Sequence, residues 1–471
     1  MGLTRAAPAR GRRSLGIAAC VGLIAVGVTM FAGPVARGSS PPDAAARTVF
    51  DPYSVTFVSL STGWALGTAP CAPAGHCLGL RETTDGGRSW FARPLPAALV
   101  AAADRRVGGV AADLTEDPGG GLSVRFANTR DGWIYGGLAR RSSAPSGTQI
   151  ESVLWSTHDG GLIWKQQPLH GLGGQDTIFD LEASRGTAYL MESTKTFGTL
   201  AVKSSPVSSD GWHVSNTAAL GGPAGGGEQT GAFVLAGSSG WLVEGNDRGT
   251  TGSARLEHGR WVAWTPPCAA VGHSFSIPAA STPSDLVASC VMGGFAYPLS
   301  KSAPPGAKLD SIWLYFSRDG GKTFTAGPQI GAHVGFLGVL ASPTPAAILA
   351  GGMSAAGGGE LLASFDGGIR WSVVHSGDIA YLGFSSPTQG VAIVRAYQSA
   401  TSTMIMSFDG GHHWAPVSFQ APSSSADAHP PSCPSRASDT AGMPPACQVS
   451  RLADRGCSQG SPVVNRAARA C

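Results

Sequence analysis

Between residues 50 and 419 the chain alternates short apolar runs with Gly-rich polar turns. Val55-Thr56-Phe57-Val58-Ser59-Leu60 leads into Gly63-Trp64-Ala65-Leu66-Gly67. Val124-Arg125-Phe126 leads into Gly132-Trp133-Ile134-Tyr135-Gly136, and Phe233-Val234-Leu235 into Gly240-Trp241-Leu242-Val243-Glu244-Gly245. Weaker echoes begin near Ile178, Phe275, Phe336 and Tyr381. Apolar runs of this length, punctuated by Gly, Ser, Asn and Asp, predict strands rather than helices. The exception is an Ala-rich stretch between Pro94 and Leu122, which predicts a short helix.

A second pattern follows each strand pair: Ser/Thr-x-Asp-Gly-Gly-x-x-aromatic. It runs from Thr83 through Asp85 and Gly87 to Trp90, and from Thr157 through Asp159 and Gly161 to Trp164. It returns with Asp319, Gly321 and Phe324, with Asp366, Gly368 and Trp371, and with Asp409, Gly411 and Trp414. Two degenerate copies fill the gap, Ser208-Ser209-Asp210-Gly211-Trp212 and Glu257-His258-Gly259-Arg260-Trp261. Asp-Gly between apolar strands is a hairpin signal. The carboxylate can accept hydrogen bonds from its own turn, and the hydroxyl two residues earlier can add another. The aromatic covers the hairpin. Each Asp is therefore read as structural, and no catalytic residue is nominated.

Strand, turn, strand, box and return strand make a four-stranded unit. Units begin near residues 55, 124, 178, 233, 275, 336 and 381, a spacing of about 50 residues that suits a propeller repeat. The expected fold is all-β: a single seven-bladed β-propeller over residues 50–419, with the last unit supplying its own outer strand after Trp414 and Thr48 to Tyr53 supplementing the first or last blade. The twelve Trp residues all fall inside the units, where they are expected to fill the gaps between blades.

The boxes resemble the Asp-box (BNR) repeats of sialidase-like propellers. The complete unit is more similar to the photosystem II stability and assembly factor family and its bacterial relatives, over roughly residues 50–419. That resemblance implies an exported binding or assembly-scaffold protein, with a protein or cell-envelope glycan met on one propeller face. The alternative it implies is a secreted sialidase-like or other glycoside hydrolase. Sialidases of this architecture hold a carboxylate with three Arg, the first usually in an Arg-Ile-Pro motif, beside a Tyr–Glu pair. The chain has no Arg-Ile-Pro; Arg125, Arg255 and Arg395 lie on or near predicted strands. No carboxylate pair at glycosidase separation stands out in the sequence.

Composition narrows the classes further. Charged residues make up 13% of the chain and its net charge is +3, without a basic stripe interleaved with aromatics, so no nucleic-acid partner is expected. Neither a metal nor a cofactor is expected. His412 and His413 are adjacent, and on a strand would point to opposite faces. Arg5, Arg10, Arg12 and Arg13 precede an apolar run from Leu15 to Phe31, so residues 1–38 read as a signal peptide or a membrane anchor. Residues 39–49 read as a linker, and membrane contact is expected only through the N-terminal segment. An exported chain can keep disulfides, and Cys71–Cys77 and Cys268–Cys290 are the expected pairs. Residues 420–471, rich in Pro, Ser and Cys, are expected to form a disordered tail.

Overall fold

The structure is a computed structural model. It describes residues 50–419 apart from 72–74, 104–120, 142–147, 169–176, 194–199, 216–229, 247–248, 271–273, 293–311, 331–333, 355–358 and 396–400. The expected export segment, linker and C-terminal tail lie outside the described residues.

Seven antiparallel four-stranded sheets follow one another along the chain, each built from consecutive strands. Blade 1 comprises Asp51–Phe57, Gly63–Cys71, Gly75–Thr83 and Phe91–Arg93. The first strands of blades 2 to 7 are Leu122–Phe126, Thr177–Ser184, Thr230–Ala236, Ser274–Ala280, Val334–Ala341 and Asp378–Phe384. First strands of successive blades contact each other, and that of blade 7 contacts that of blade 1. They therefore line the axis of a closed seven-bladed propeller, and the short fourth strands form its outer wall. The expected helix is present as Ala97–Ala103, with Leu99 buried at the joint of blades 1 and 2.

The core is divided among the joints. Each of the seven contacts between neighbouring blades holds its own cluster of buried apolar side chains. Alternation along each second strand supplies both sides: Trp241 and Val243 face blade 5, whereas Leu242 faces blade 3. Trp64, Trp133, Trp241 and Trp261 are fully buried. Trp64 stacks flat on Phe126 of the next blade, with ring centroids 3.7 Å apart. Burying rings of this size against neighbours is the main favourable term holding blade to blade.

Ring closure uses no exchanged strand. Asp51–Phe57 is the inner strand of blade 1, and blade 7 has its own outer strand, Ala415–Pro416. The joint of blades 7 and 1 is sealed by Phe50, Trp90, Met404, Met406 and Phe419. Gln389 Nε2 donates to the Leu60 carbonyl at 2.9 Å, and the Ser402 hydroxyl donates to the Pro52 carbonyl. Disulfides join Cys71 to Cys77 and Cys268 to Cys290. The first ties two adjacent strands of blade 1, the second a short 3-10 turn (Pro267–Ala270) to the second strand of blade 5.

Candidate functional site

The five Asp-Gly-Gly turns connect third to fourth strands, on one edge of the ring. In each, the Ser or Thr hydroxyl donates to Asp Oδ1 at 2.8–2.9 Å. The same hydroxyl accepts from the second Gly N–H at 2.7–3.0 Å. The carboxylate accepts further N–H groups: Leu162 and Ile163 on Asp159, Lys322 and Thr323 on Asp319, Ile369 and Arg370 on Asp366. Ser89 bonds Asp85 and His413 bonds Asp409. The first Gly of each turn donates to a carbonyl of the neighbouring first-to-second-strand turn at 2.8–2.9 Å. Gly86 and Gly87 have φ of 76° and 90°, the left-handed region open to Gly at little cost. All five Asp side chains thus engage their own turns.

These bonds favour the ionised carboxylate. Partial burial pushes Asp85 up, but bonds from Ser89, Thr83 and the Arg88 N–H outweigh it and hold the acid at about 2, below its ordinary 3.8. A depressed folded-state value means that the contribution is complete above the ordinary value and is lost as pH falls through the depressed one. Asp85→Ala is expected to cost about 1–2 kcal/mol at pH 7. In urea unfolding, the gap between variant and parent should close as pH falls from about 4 toward 2. Equal midpoints at pH 7 would remove the carboxylate from the stability account.

The aromatic of the pattern also bonds locally. Trp90, Trp164, Trp371 and Trp414 donate Nε1–H to the carbonyl of the second Gly in their own turns at 3.0–3.2 Å. Phe324 has no such donor. Trp264 of blade 4 supplies it instead, donating to the Gly321 carbonyl at 2.8 Å, while Trp241 and Arg255 serve the Gly320 carbonyl. Trp264→Phe should therefore leave a buried carbonyl unpaired and cost about 1–3 kcal/mol. Chemical denaturation of this variant should show the loss, and Phe324→Trp in the same background should recover part of it.

The two degenerate copies behave differently. Asp210 is bound across the joint of blades 2 and 3: His158 sits between Asp131 at 2.7 Å and Asp210 at 3.3 Å, and Lys165 reaches Asp210 at 3.2 Å. Trp212 meets Trp133 edge-on at 6.2 Å. In blade 4 the hairpin turns through His258 and Gly259 at positive φ, with Trp261 beneath it. One expectation needs correcting: His412 and His413 lie in the box turn, ahead of the strand Ala415–Pro416. His412 stacks on Phe365 at 3.6 Å, and His413 Nδ1 lies 2.6 Å from Asp409. No cluster of potential ligands arranged to hold a metal occurs among the described residues.

The inner strands bring together a group that the sequence did not single out. Arg125 lies on the inner strand of blade 2. Its NH2 is 2.6 Å from Glu182 Oε1, and its Nε donates to the Leu181 carbonyl at 3.1 Å. Tyr135 of blade 2 donates its hydroxyl to Asp180 Oδ1 at 2.8 Å. Tyr381, on the inner strand of blade 7, interacts with the Arg125 guanidinium. Burial pushes the Asp180 and Glu182 carboxyls up; Arg125 opposes this, and the negative Asp180 adds to it at Glu182. Two carboxyls, two phenols and one guanidinium from three blades therefore meet near the axis. Arg255 lies on the third strand of blade 4 against Glu257, and Arg395 ends the second strand of blade 7.

Among the described residues no helix is long and apolar enough to cross a membrane. No family model matches the chain. No curated protein matches it. Solved structures with a similar fold include Ycf48 bound to a D1 peptide, with 19% identity, 77% of this chain and 93% of that chain covered, and a TM-score of 0.45. The GH74 xyloglucanase from Xanthomonas campestris has 12% identity, with 78% of this chain and 54% of that chain covered and a TM-score of 0.48. The Hadza microbial sialidase Hz136 has 12% identity, with 76% of this chain and 65% of that chain covered and a TM-score of 0.38. At these identities the likeness is one of fold.

Proposed function

We propose that the protein is an extracytoplasmic propeller that binds or scaffolds a partner, a protein or a cell-envelope glycan met on one face of the ring. In this reading the five turns are Asp boxes of the BNR kind. Residues 1–38 direct export and are cleaved or retained as an anchor, 39–49 link them to the propeller of 50–419, and 420–471 form a tail. The observation that carries the binding reading is the use made of the axial carboxylates. Asp180 is held by Tyr135 and Glu182 by Arg125, both from the neighbouring blade. Both contacts brace the joint of blades 2 and 3, a structural use of the two carboxyls that calls for no substrate. The two disulfides support an oxidising compartment.

A second reading rests on the same cluster. A carboxyl pushed up by burial beside a second carboxyl is the arrangement of a general acid, and Glu182 would carry that role in a glycosidase. Full-length protein incubated with sialosides, xyloglucan and uronic-acid glycans decides between the two. The binding reading expects saturable retention on one glycan or cross-linking to one envelope protein, without turnover. Turnover that disappears in Glu182→Gln while the fold persists would replace it with the hydrolase.

A further inference from the structure

In two of the box turns the residue before the Asp meets the next blade. In blade 2 it is His158, whose Nε2 faces Asp210 of blade 3. In blade 6 it is Phe365. His412 of the blade 7 turn stacks on that ring, with centroids 3.6 Å apart and planes 12° from parallel. Blade 7 repeats the aromatic as Phe408, which opens on a cleft walled by blade 1 across the closing joint. The place of His412, directly after the second Gly, belongs to Arg88 in the blade 1 turn. Arg88 instead donates from Nη1 to the Asp85 carbonyl of its own turn at 3.3 Å. Phe408 is 60% exposed, and no ring or guanidinium covers it among the described residues. The stacking position that is filled between blades 6 and 7 is therefore open between blades 7 and 1.

The cleft in front of the ring measures about 620 Å³, inside the roughly 300–1,000 Å³ of small-ligand sites. Leu60, Ser61, Arg88 and Thr388 stand on its walls beside Phe408. The Ser61 and Thr388 hydroxyls make only long contacts, 3.2–3.4 Å, with neighbouring hydroxyls, and a hydroxyl in that state can take further bonds. The charged residues on the walls are Arg88 and Asp85, one of each sign. The Asp85 carboxylate is taken up by Thr83 and Ser89 of its own turn. The cleft thus offers an uncovered apolar ring face, a rim of hydroxyls with one guanidinium, and no surplus charge.

We propose that this cleft binds one pyranose unit of a neutral glycan, which lies on Phe408 as the His412 ring lies on Phe365. One face of a pyranose is a set of C–H groups, matched to the negative face of an aromatic ring. Its edge is a set of hydroxyls, matched to Ser61, Thr388 and Arg88. An anionic ligand gains little where Arg88 and Asp85 balance. An aromatic side chain of a protein partner would fill the stacking position but offer nothing to the hydroxyls around it. The proposal rests on the glycan branch of the binding-module reading and deepens it: the sugar is met at the joint of blades 7 and 1, away from the axial carboxyls.

The test is saturation-transfer NMR from the full chain to cellotetraose, maltotetraose and chitotetraose, three neutral probes. At least one should bind saturably, with the strongest transfer to the C–H protons of one pyranose face and no weakening in raised salt. Phe408→Ser should weaken that binding by about tenfold or more, and Phe408→Trp should keep it. Arg88→His leaves Phe408 in place and sets an imidazole where His412 stands at the neighbouring joint, so it should close the cleft and abolish binding. Unfolding midpoints check that each variant is folded. Binding that survives both Phe408→Ser and Arg88→His would overturn the proposal; if Glu182→Gln then removes it, the glycan is held at the axis and the glycan reading stands without the cleft. Absence of saturable binding by all three probes would also overturn it, and capture of an envelope protein that is lost in Phe408→Ser would then assign the ring to a protein partner. Binding that depends on Phe408, together with turnover lost in Glu182→Gln, would uphold the cleft and replace the binding-module reading alone.

Discussion

Trp241→Ala is expected to lower stability by about 3–5 kcal/mol, the range for emptying a buried large aromatic site. The side chain is fully buried between blades 4 and 5, in the cluster with Val243, Trp264 and Leu286. Its Nε1–H also donates to the Gly320 carbonyl at 3.0 Å, the first Gly of the blade 5 turn. Arg255 serves the same carbonyl at 3.1 Å, so the loss is chiefly one of packing. Guanidinium unfolding measures it, and Trp241→Phe separates the two parts by keeping a ring without the donor. A loss under about 1 kcal/mol would mean that neighbouring blades close the gap.

Three residues further along the same strand, Glu244 should show the opposite sign. It pairs directly with Gly231, where an added Cβ would meet Met191 and Phe179 of blade 3. Glu244 therefore faces the joint of blades 3 and 4. It is fully buried, and neither carboxyl oxygen has a hydrogen-bond partner. Burial pushes it up to about 7 from 4.5. An acid raised in the folded state adds no cost of ionisation below its unfolded value, and that cost grows as pH rises to the folded one. The gain from Glu244→Met should thus be about 2–3 kcal/mol larger at pH 8 than at pH 4.5. Urea midpoints of parent and variant across that interval measure it. The variant's advantage should open between the two pH values; parallel curves would show that the carboxylate finds water or a partner.

Much of the architecture was legible because its signals are local. Gly63-Trp64 and Thr83 to Trp90 sit within one blade, and repetition gave the blade count even where Trp212 and Trp261 were the clearest remnants of the box. Box chemistry was legible for the same reason: Thr83, Asp85 and Gly87 bond one another within a few residues. The axial cluster was not. Arg125, Tyr135, Asp180, Glu182 and Tyr381 come from blades 2, 3 and 7 and meet only once the ring closes. Arg125 was noticed, but beside Arg255 and Arg395, because sequence shows that an Arg lies on a strand and not which strand faces the axis. Trp264 was equally opaque. Its role depends on Phe324 lacking an N–H, a defect that matters only when two blades are packed together.

Because every blade keeps its own four strands, the ring is fastened at blades 7 and 1 by side-chain packing and hydrogen bonds, those of Gln389 and Ser402 among them, like a clasp rather than a woven seam. The chain's order around the circle is then almost interchangeable. New ends cut into a connector between any two blades, with residues 419 and 50 joined by a short linker, would leave all seven sheets intact and turn the clasp into an ordinary joint. In the natural order it is the joint of blades 7 and 1 at which the two ends of the propeller meet. Tension applied between those ends would act first on Phe419 where it lies against Phe50 and Trp90.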